Sequence, residues 1–209
     1  MKKTMDKRVK RTKKEFQRTL LALLKEKRLE DITITELVRE ADYNRGTFYI
    51  HYEQKEDLLH EMVEEMLKEL RNAFRQSYQH LENEISIMEL STISLFEHFL
   101  HNKDFYQTML SPKVPINFHE EMVSSMEKHF KEDIDFTSND VPDDIDLKLF
   151  YRYRVNGIIG LITDWIKDDF QQSKCYMAEQ VVKIATFNTE KVLIKNVRQA
   201  TGSLKEHSS

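Results

Sequence analysis

The run from Thr33 to Leu59 constrains the fold most, because it holds two short helical patterns, a tight turn and the start of a third helix. Thr33 and Glu36 form a T-x-x-E capping box, which predicts a helix that begins at Ile34. Helical spacing continues through Ile34, Leu37, Val38 and Ala41. The pattern stops at Asp42-Tyr43-Asn44, where Asp tolerates a left-handed backbone and Asn44 can cap the next helix.

The second helix of this run should extend for only about two turns, from Arg45 to roughly Tyr52. A helix this short is not stable alone, so it must be held by its neighbours. The spacing predicts that Phe48 and Tyr52 are buried, while Arg45, Thr47, Tyr49 and His51 are exposed. Two helices joined by a tight turn, the second presenting polar and aromatic side chains, are typical of a helix-turn-helix that reads DNA.

The distribution of charge agrees with this interpretation, although the net charge of −4 alone would not. Residues 1–18 carry nine Lys or Arg against Asp6 and Glu15. Residues 1–57 hold 15 basic and 11 acidic residues, and the other 152 residues hold 17 basic and 25 acidic residues. A basic head on an acidic body is expected when only the head meets phosphate. A basic tail that merely aids solubility is the alternative.

Composition and periodicity predict an all-α protein with a three-helix DNA-binding head and a larger helical body. Gly 4 and Pro 3 are few for the turns of a β-sandwich. We expect a head at 1–56, with a disordered basic arm at 1–10, and a body at 57–209. No membrane span or signal peptide is expected, and the one cysteine, Cys175, favours a reducing cytoplasm. Helices are predicted near 11–27, 55–78, 86–101, 104–110, 146–170 and 177–197, with one more capped by Asn117 and a loop at 133–146.

Two glycines, Gly157 and Gly160, interrupt a strongly apolar helix predicted at 146–170. Each costs about 1 kcal/mol against Ala in a helix, so a close helix approach is the expected compensation. That approach could be an interface between two copies of the chain or tight packing within one subunit. We favour the interface, because helix-turn-helix proteins commonly dimerise to read two half-sites.

The run G-T-F-Y-I-H-Y-E-Q-K-E-D-L-L, Gly46 to Leu59, resembles the signature of the TetR family of bacterial transcriptional regulators. The specific match covers roughly residues 12 to 60, and the stretch 150–170 is similar to the dimerisation helix of a subgroup that includes DhaS-like regulators. The resemblance implies a homodimer that binds double-stranded DNA at a palindromic operator, and a small-molecule effector that releases it. Asp42 replaces the usual Gly of the turn. Ile50 stands where a polar or aromatic residue is common.

Chemistry and resemblance together assign the DNA contacts. Arg45 can pair with guanine, and Asn44 with adenine or a phosphate. In similar proteins the positions of Thr33, Thr47, Tyr49, His51 and Lys55 touch the DNA backbone or base methyl groups. The expected contact residues are Thr33, Thr35, Asn44, Arg45, Thr47, Tyr49, Ile50, His51 and Lys55.

Two further sets of residues are expected in the body. An apolar effector pocket could be lined by Phe99, Tyr106, Met109, Met122, Met126, Tyr153 and Trp165. The dimer interface should include Gly157, Gly160, Leu161, Val181, Ile184 and Val192.

Other functions remain as alternatives. The same scaffold could act as an activator or a corepressed regulator, since nothing in the residues fixes the sign. An all-α metal-dependent enzyme is a weaker alternative, resting on Asp164, Asp168 and Asp169 or on His98 and His101. The acidic spacing is not D-D-x-x-D, and no second acidic motif faces it. No cofactor or metal is expected.

Overall fold

The structure is a computed structural model that describes residues 2–76, 92–133 and 144–187. These residues form α-helices joined by turns and loops and contain no strand, which confirms the predicted all-α class. The elements are α1 (Lys2–Glu26), a 3₁₀ turn (Leu29–Asp31), α2 (Ile34–Glu40), α3 (Arg45–Tyr49), α4 (Lys55–Arg75), α5 (Ile93–His101), α6 (Lys103–Met109), α7 (Phe118–Asp133), α8 (Leu147–Lys167) and α9 (Lys174–Thr186).

The head is built by α1, α2 and α3 around an apolar centre. Phe16, Leu20 and Leu24 follow each other at steps of four along α1, and all three are fully buried. The Phe16 ring contacts Phe48 of α3 edge to face, with 5.5 Å between ring centroids. The short α3 is thus held by aromatic packing rather than by its own hydrogen bonds.

The caps and the turn of the helix-turn-helix form as the sequence predicts. Thr33 Oγ1 accepts a hydrogen bond from Glu36 N at 3.1 Å, so α2 begins at Ile34. Asp42 adopts φ 59°, the left-handed conformation that ends α2. Tyr43 N then donates to Val38 O at 2.8 Å, which satisfies a carbonyl at the helix end.

The amino-terminal prediction was wrong, because residues 2–10 continue α1 instead of forming a disordered arm. Lys and Arg favour helix, and no Gly or Pro interrupts the run before the packed part of α1. Other bounds shift slightly: α3 ends at Tyr49 rather than Tyr52, and α9 begins at Lys174 rather than Met177. The predicted segments at 77–91, 134–143 and 188–209 lie outside the described residues. The division of the chain at residue 56 stays a prediction.

Helix α4 joins the head to the body. Leu58 and Leu59 are buried near its start, and Leu70 and Phe74 are buried near its end. It packs on α1 in the head and on α5 and α7 in the body. A continuous helix of 21 residues therefore links the two parts.

The body packs α5 to α9 around aromatic side chains. Trp165 of α8 is 2% exposed, lies 5.3 Å from Phe96 between ring centroids, and donates from Nε1 to Gln172 O at 3.0 Å. Helix α8 ends in a turn where Asp169 and Phe170 have φ near 55° and Phe170 N donates to Trp165 O. None of the helices in the described ranges has the length and apolar character needed to cross a bilayer.

A half-buried imidazole should make the stability of the body depend on pH. His98 Nε2 lies 2.8 Å from Tyr106 Oη, and burial, followed by the charge of His101, lowers the pKa of His98 to about 4. The unfolded chain takes up this proton near the ordinary pKa of about 6.5, so the native state loses stability as pH falls from 6.5 towards 4.

Between pH 6.5 and pH 4, we expect the free energy of unfolding of His98→Gln to fall by about 2 kcal/mol less than that of the wild type. This figure takes about 1.36 kcal/mol per pKa unit and is reduced because His98 is partly exposed. Urea unfolding at several pH values measures the difference. His60→Gln is the control, since His60 is an exposed histidine on α4 and its charge does not shift the pKa of His98, and it should keep the wild-type slope. Equal slopes for His98→Gln and the wild type would contradict the assignment.

Candidate nucleic-acid interface

Helix α3 and the residue after it present a cluster of side chains to solvent. Tyr49 is 53% exposed and Ile50 is 77% exposed, and Arg45 is exposed beside them. Phe48 anchors this helix in the head, because its ring contacts Phe16 and Tyr52, each at 5.5 Å between centroids. An exposed apolar side chain next to a cation and a phenol suits base edges, where thymine offers a methyl group and guanine two acceptors.

Asn44 and Thr47 have a role within the protein that limits their contact with DNA. Asn44 Oδ1 accepts from Thr47 N at 2.8 Å and lies 3.1 Å from Thr47 Oγ1. With its carbonyl oxygen engaged as the cap of α3, Asn44 retains only its amide NH₂ for an outside partner. The expected contact of Asn44 with adenine or a phosphate is therefore limited to this NH₂ group, and the carbonyl oxygen of Asn44 serves to cap α3.

The basic part of α1 lies beside the turn that leads into α3. Phe16 contacts the ring of Tyr43 at 5.2 Å between centroids, and Thr12 Oγ1 lies 3.5 Å from Tyr43 Oη. Exposed cations that form no ion pair with any described residue precede and follow Thr12: Lys7, Arg8, Lys10, Arg11 and Lys14. Their position near α3, the expected recognition helix of the helix-turn-helix, fits contacts with phosphate.

A three-residue cluster joins α1 and α4 to Tyr52, which lies just after α3. Lys13 Nζ donates to Glu61 Oε1 at 2.6 Å and lies 5.2 Å from the centroid of the Tyr52 ring. Tyr52 Oη also donates to Glu61. Burial favours the neutral form of Glu61, yet the hydrogen bonds from Lys13 and Tyr52 outweigh it and lower its pKa. These contacts fix the orientation of α3, and sequence reasoning missed Glu61 because its partners meet only in the folded head.

Lys55 does not have the role predicted for it. Its Nζ donates to Leu29 O at 2.6 Å, to Ile32 O at 2.6 Å and to Glu30 O at 3.3 Å. An ammonium has three donors, and the carbonyls of the 3₁₀ turn take all of them. Lys55 thus fastens the start of α4 to the turn before α2 and leaves no donor for a phosphate. Thr33 and Thr35 remain exposed, and Thr47 and His51 are half-buried.

One face of α8 and α9 is apolar and exposed. Four positions of α8 follow each other at steps of four residues: Leu149, Tyr153, Gly157 and Leu161. Tyr153 is 80% exposed, so its predicted place in an effector pocket was wrong. A methyl group placed on Gly157 or Gly160 meets no other described atom within 4 Å outside its own helical backbone. Tight packing within one subunit therefore does not explain these glycines.

The end of α9 lies against α8, since Arg154 of α8 donates to Ala185 O, and it adds exposed apolar residues: Ile184 at 53% and Phe187, just after the helix, at 75%. Val181, predicted at the interface, is 4% exposed and lies in the core of the protomer. Val192 is outside the described residues. The exposed set Leu149, Tyr153, Gly157, Leu161, Ile184 and Phe187 is called the α8–α9 face below.

The apolar centre of the body leaves little room for an effector. Phe99 and Met126, both predicted pocket residues, line a cavity of about 20 Å³ together with Phe74 and Ile159. That volume holds about one water molecule. Tyr106, Met122 and Trp165 are packed in the core, and Met109 lines a different cavity of about 170 Å³ between α6, α7 and α8.

The residues behind the enzyme alternative do not assemble into a site. Asp169 accepts a hydrogen bond from Gln107 at 3.0 Å within the turn that ends α8. His98 is hydrogen-bonded to Tyr106 in the core. The described parts of the chain bring no group of three His, Cys, Asp or Glu residues together in a geometry that could hold a metal ion.

Comparison with known proteins agrees with this geometry. Residues 19–62 match the family described as "Bacterial regulatory proteins, tetR family", and residues 86–187 match "Transcriptional regulator C-terminal region". The two matches together cover more than two thirds of the chain.

Individual relatives are distant in sequence. An uncharacterized HTH-type transcriptional regulator, YxbF of Bacillus subtilis (strain 168), is 22% identical over 176 residues; the match covers 82% of this chain but only 44% of that protein. The solved TetR transcriptional regulator from Streptococcus agalactiae 2603V is 19% identical, with a TM-score of 0.59, over 88% of this chain and 99% of that one. The dihydroxyacetone kinase operon activator DhaS is 19% identical with a TM-score of 0.58, over 83% and 93% of the two chains.

The match to the tetR family falls on the helices that carry the exposed α3, and the second match falls on the helical body that follows it. The chain belongs to the TetR family of DNA-binding transcriptional regulators.

Proposed function

We propose that this protein is a homodimeric repressor that binds a roughly palindromic operator in the cytoplasm and is released by a small-molecule effector. The exposed recognition helix carries the proposal: Tyr49 and Ile50 are at least half exposed on a helix whose other side is fully buried. Such a surface has no use within the protomer and fits a major groove.

The DNA contacts divide by chemistry. Arg45 at the start of α3 reads guanine, and Ile50 packs against a thymine methyl. Thr33, Thr35, Tyr49 and His51 donate to phosphate oxygens, as do the exposed cations of α1. Asn44 and Lys55 act indirectly, because one caps α3 and the other fastens α4 to the head.

The α8–α9 face is the proposed dimer interface. Side chains at steps of four residues form a ridge, and Gly157 in the middle of that ridge lets a second helix come close. Two heads in such a dimer must lie about 34–36 Å apart to enter successive major grooves. The dimer therefore requires an operator with two inverted half-sites.

Release by an effector needs two arrangements of the heads with different affinity for DNA. Helix α4 packs against α1 on one side and against α5 and α7 on the other, so a shift in the body can move the head.

DhaS, which shares the fold, is described as an activator. Transcription in vitro from a promoter that overlaps the operator tests the sign. We expect the protein to lower transcript yield, and a rise would contradict repression.

Replacement of Arg45 by Ala should relax base preference. We expect the mutant to lose about 1–3 kcal/mol of discrimination at one position of each half-site, while its binding to a scrambled duplex changes little. Competition titrations between operator and scrambled DNA measure this ratio.

The triple mutant Lys10→Gln, Arg11→Gln, Lys14→Gln is the matched comparison. It should weaken binding to both duplexes alike and reduce the slope of log affinity against log salt by about 0.9 for each lost phosphate contact. If Arg45→Ala weakened both duplexes equally, Arg45 would be a backbone contact rather than a base contact.

A further inference from the structure

The cavity of about 170 Å³ lies where the end of α6, the start of α7 and the second half of α8 meet, and we call it the α6–α8 cavity. It has room for about five water molecules at about 30 Å³ each. Its wall is part polar, with Asn117, His119, Thr163 and Lys167, and part apolar, with Met109 and Ile116. It is separate from the small apolar cavity at the centre of the body.

Thr163 is the unusual member of this wall. Its side chain is 4% exposed, and its Oγ1 has no hydrogen-bond partner among the described residues. A threonine in a helix ordinarily bonds to the carbonyl four residues earlier when nothing else is present. A buried hydroxyl without a partner costs free energy, and it is explained when a ligand completes the bond.

The polar side of the cavity offers donors and one positive charge. Lys167 forms no ion pair within the described ranges, and no described carboxylate lines the wall. Asn117 Oδ1 accepts from Glu120 N at 3.4 Å, which leaves its amide NH₂ available. Lys167 and Asn117 are exposed and Thr163 is buried, and donors beside a cation with no carboxylate in the wall attract an anion.

We propose that the α6–α8 cavity binds a small organic anion: a carboxylate held by Lys167, Thr163 and Asn117, with a short apolar chain against Met109 and Ile116. The cavity is adjacent to the contact between body and head. Ser111 lines it, and two residues later Lys113 O accepts from Leu29 N at 3.2 Å while Lys113 Nζ donates to Lys25 O. This anion would change the affinity of the head for DNA, a link that rests on the proposed regulation by an effector.

Ligand-observed NMR and calorimetry on the full chain, without DNA, test the binding. The probes are acetate, butyrate and hexanoate, with butyramide as the uncharged match of butyrate. We expect butyrate to bind at least tenfold more tightly than butyramide. Lys167→Met and Thr163→Val should each weaken butyrate at least fivefold, since bonds to a charged group are the strong ones. Lys148→Met, an exposed lysine at the other end of α8, should bind as the wild type does.

No binding of any of the three carboxylates, or equal binding by wild type and both cavity mutants, overturns the site. The operator titration is separate: butyrate should shift the affinity of the wild type and not that of Lys167→Met. Binding in the cavity with unchanged operator affinity would overturn the link to the head. Failure of the unliganded wild type to select any operator would instead overturn the proposed function, while the NMR result stands.

Discussion

Gly157→Glu is expected to convert the dimer into a monomer and to lower operator affinity by about 10²–10⁴-fold, because two linked half-site contacts gain this much from avidity. The glycine is exposed in the middle of the α8 ridge, and a side chain there meets no described atom of its own protomer outside the helix backbone. The protomer should therefore fold normally. In a dimer, two carboxylates would be placed against the partner helix and would block its approach.

Analytical ultracentrifugation and operator titration measure the two effects together. Gln171→Glu is the matched control, since it adds the same charge at an exposed position just after α8. It should leave mass and affinity unchanged. If Gly157→Glu sedimented as a dimer and bound the operator as the wild type does, the α8–α9 face would not be the interface.

Phe48→Ala is expected to cost about 3–5 kcal/mol of stability, the range for removal of a buried phenylalanine ring. Phe48 is 0% exposed and contacts Phe16, Tyr49 and Tyr52, so its ring holds the short α3 against α1. The head should then melt well before the body and give two thermal transitions, and DNA binding should be lost with the first.

Circular dichroism melting resolves these transitions. Ile50→Ala is the control on the adjacent residue: at 77% exposure it should change stability by no more than about 0.5 kcal/mol while it weakens operator binding. A single melt of Phe48→Ala at the wild-type temperature would show that α3 does not depend on this ring.

Local chemistry made much of the head predictable. The Thr33 cap, the left-handed Asp42 and the Asn44 cap each depend on side chains within four residues, and all three form as expected. The helical spacing of Phe16, Leu20 and Leu24 likewise indicates the buried side of α1. Such features need no knowledge of the tertiary fold.

Features that depend on distant parts of the chain could not be predicted. Lys55 was expected to reach phosphate, but three carbonyls of the turn at Leu29–Asp31 and Ile32 surround its amine. Tyr153 was expected in a pocket, but apolar side chains occur on every side of α8, so the sequence does not show which side faces solvent. Thr163 looked like any helical threonine, since only the packing of α6 and α7 against α8 leaves its hydroxyl without a partner.

The central claim is that two copies of the recognition helix read an inverted repeat. Selection of bound duplexes from a random DNA library by the full-length wild type, followed by sequencing, tests it most directly. We predict enrichment of an inverted repeat whose half-sites are centred about 10 base pairs or a multiple apart, with a guanine in each half that is no longer selected by Arg45→Ala. No enrichment, or enrichment of a single half-site without its inverted copy, would contradict the claim.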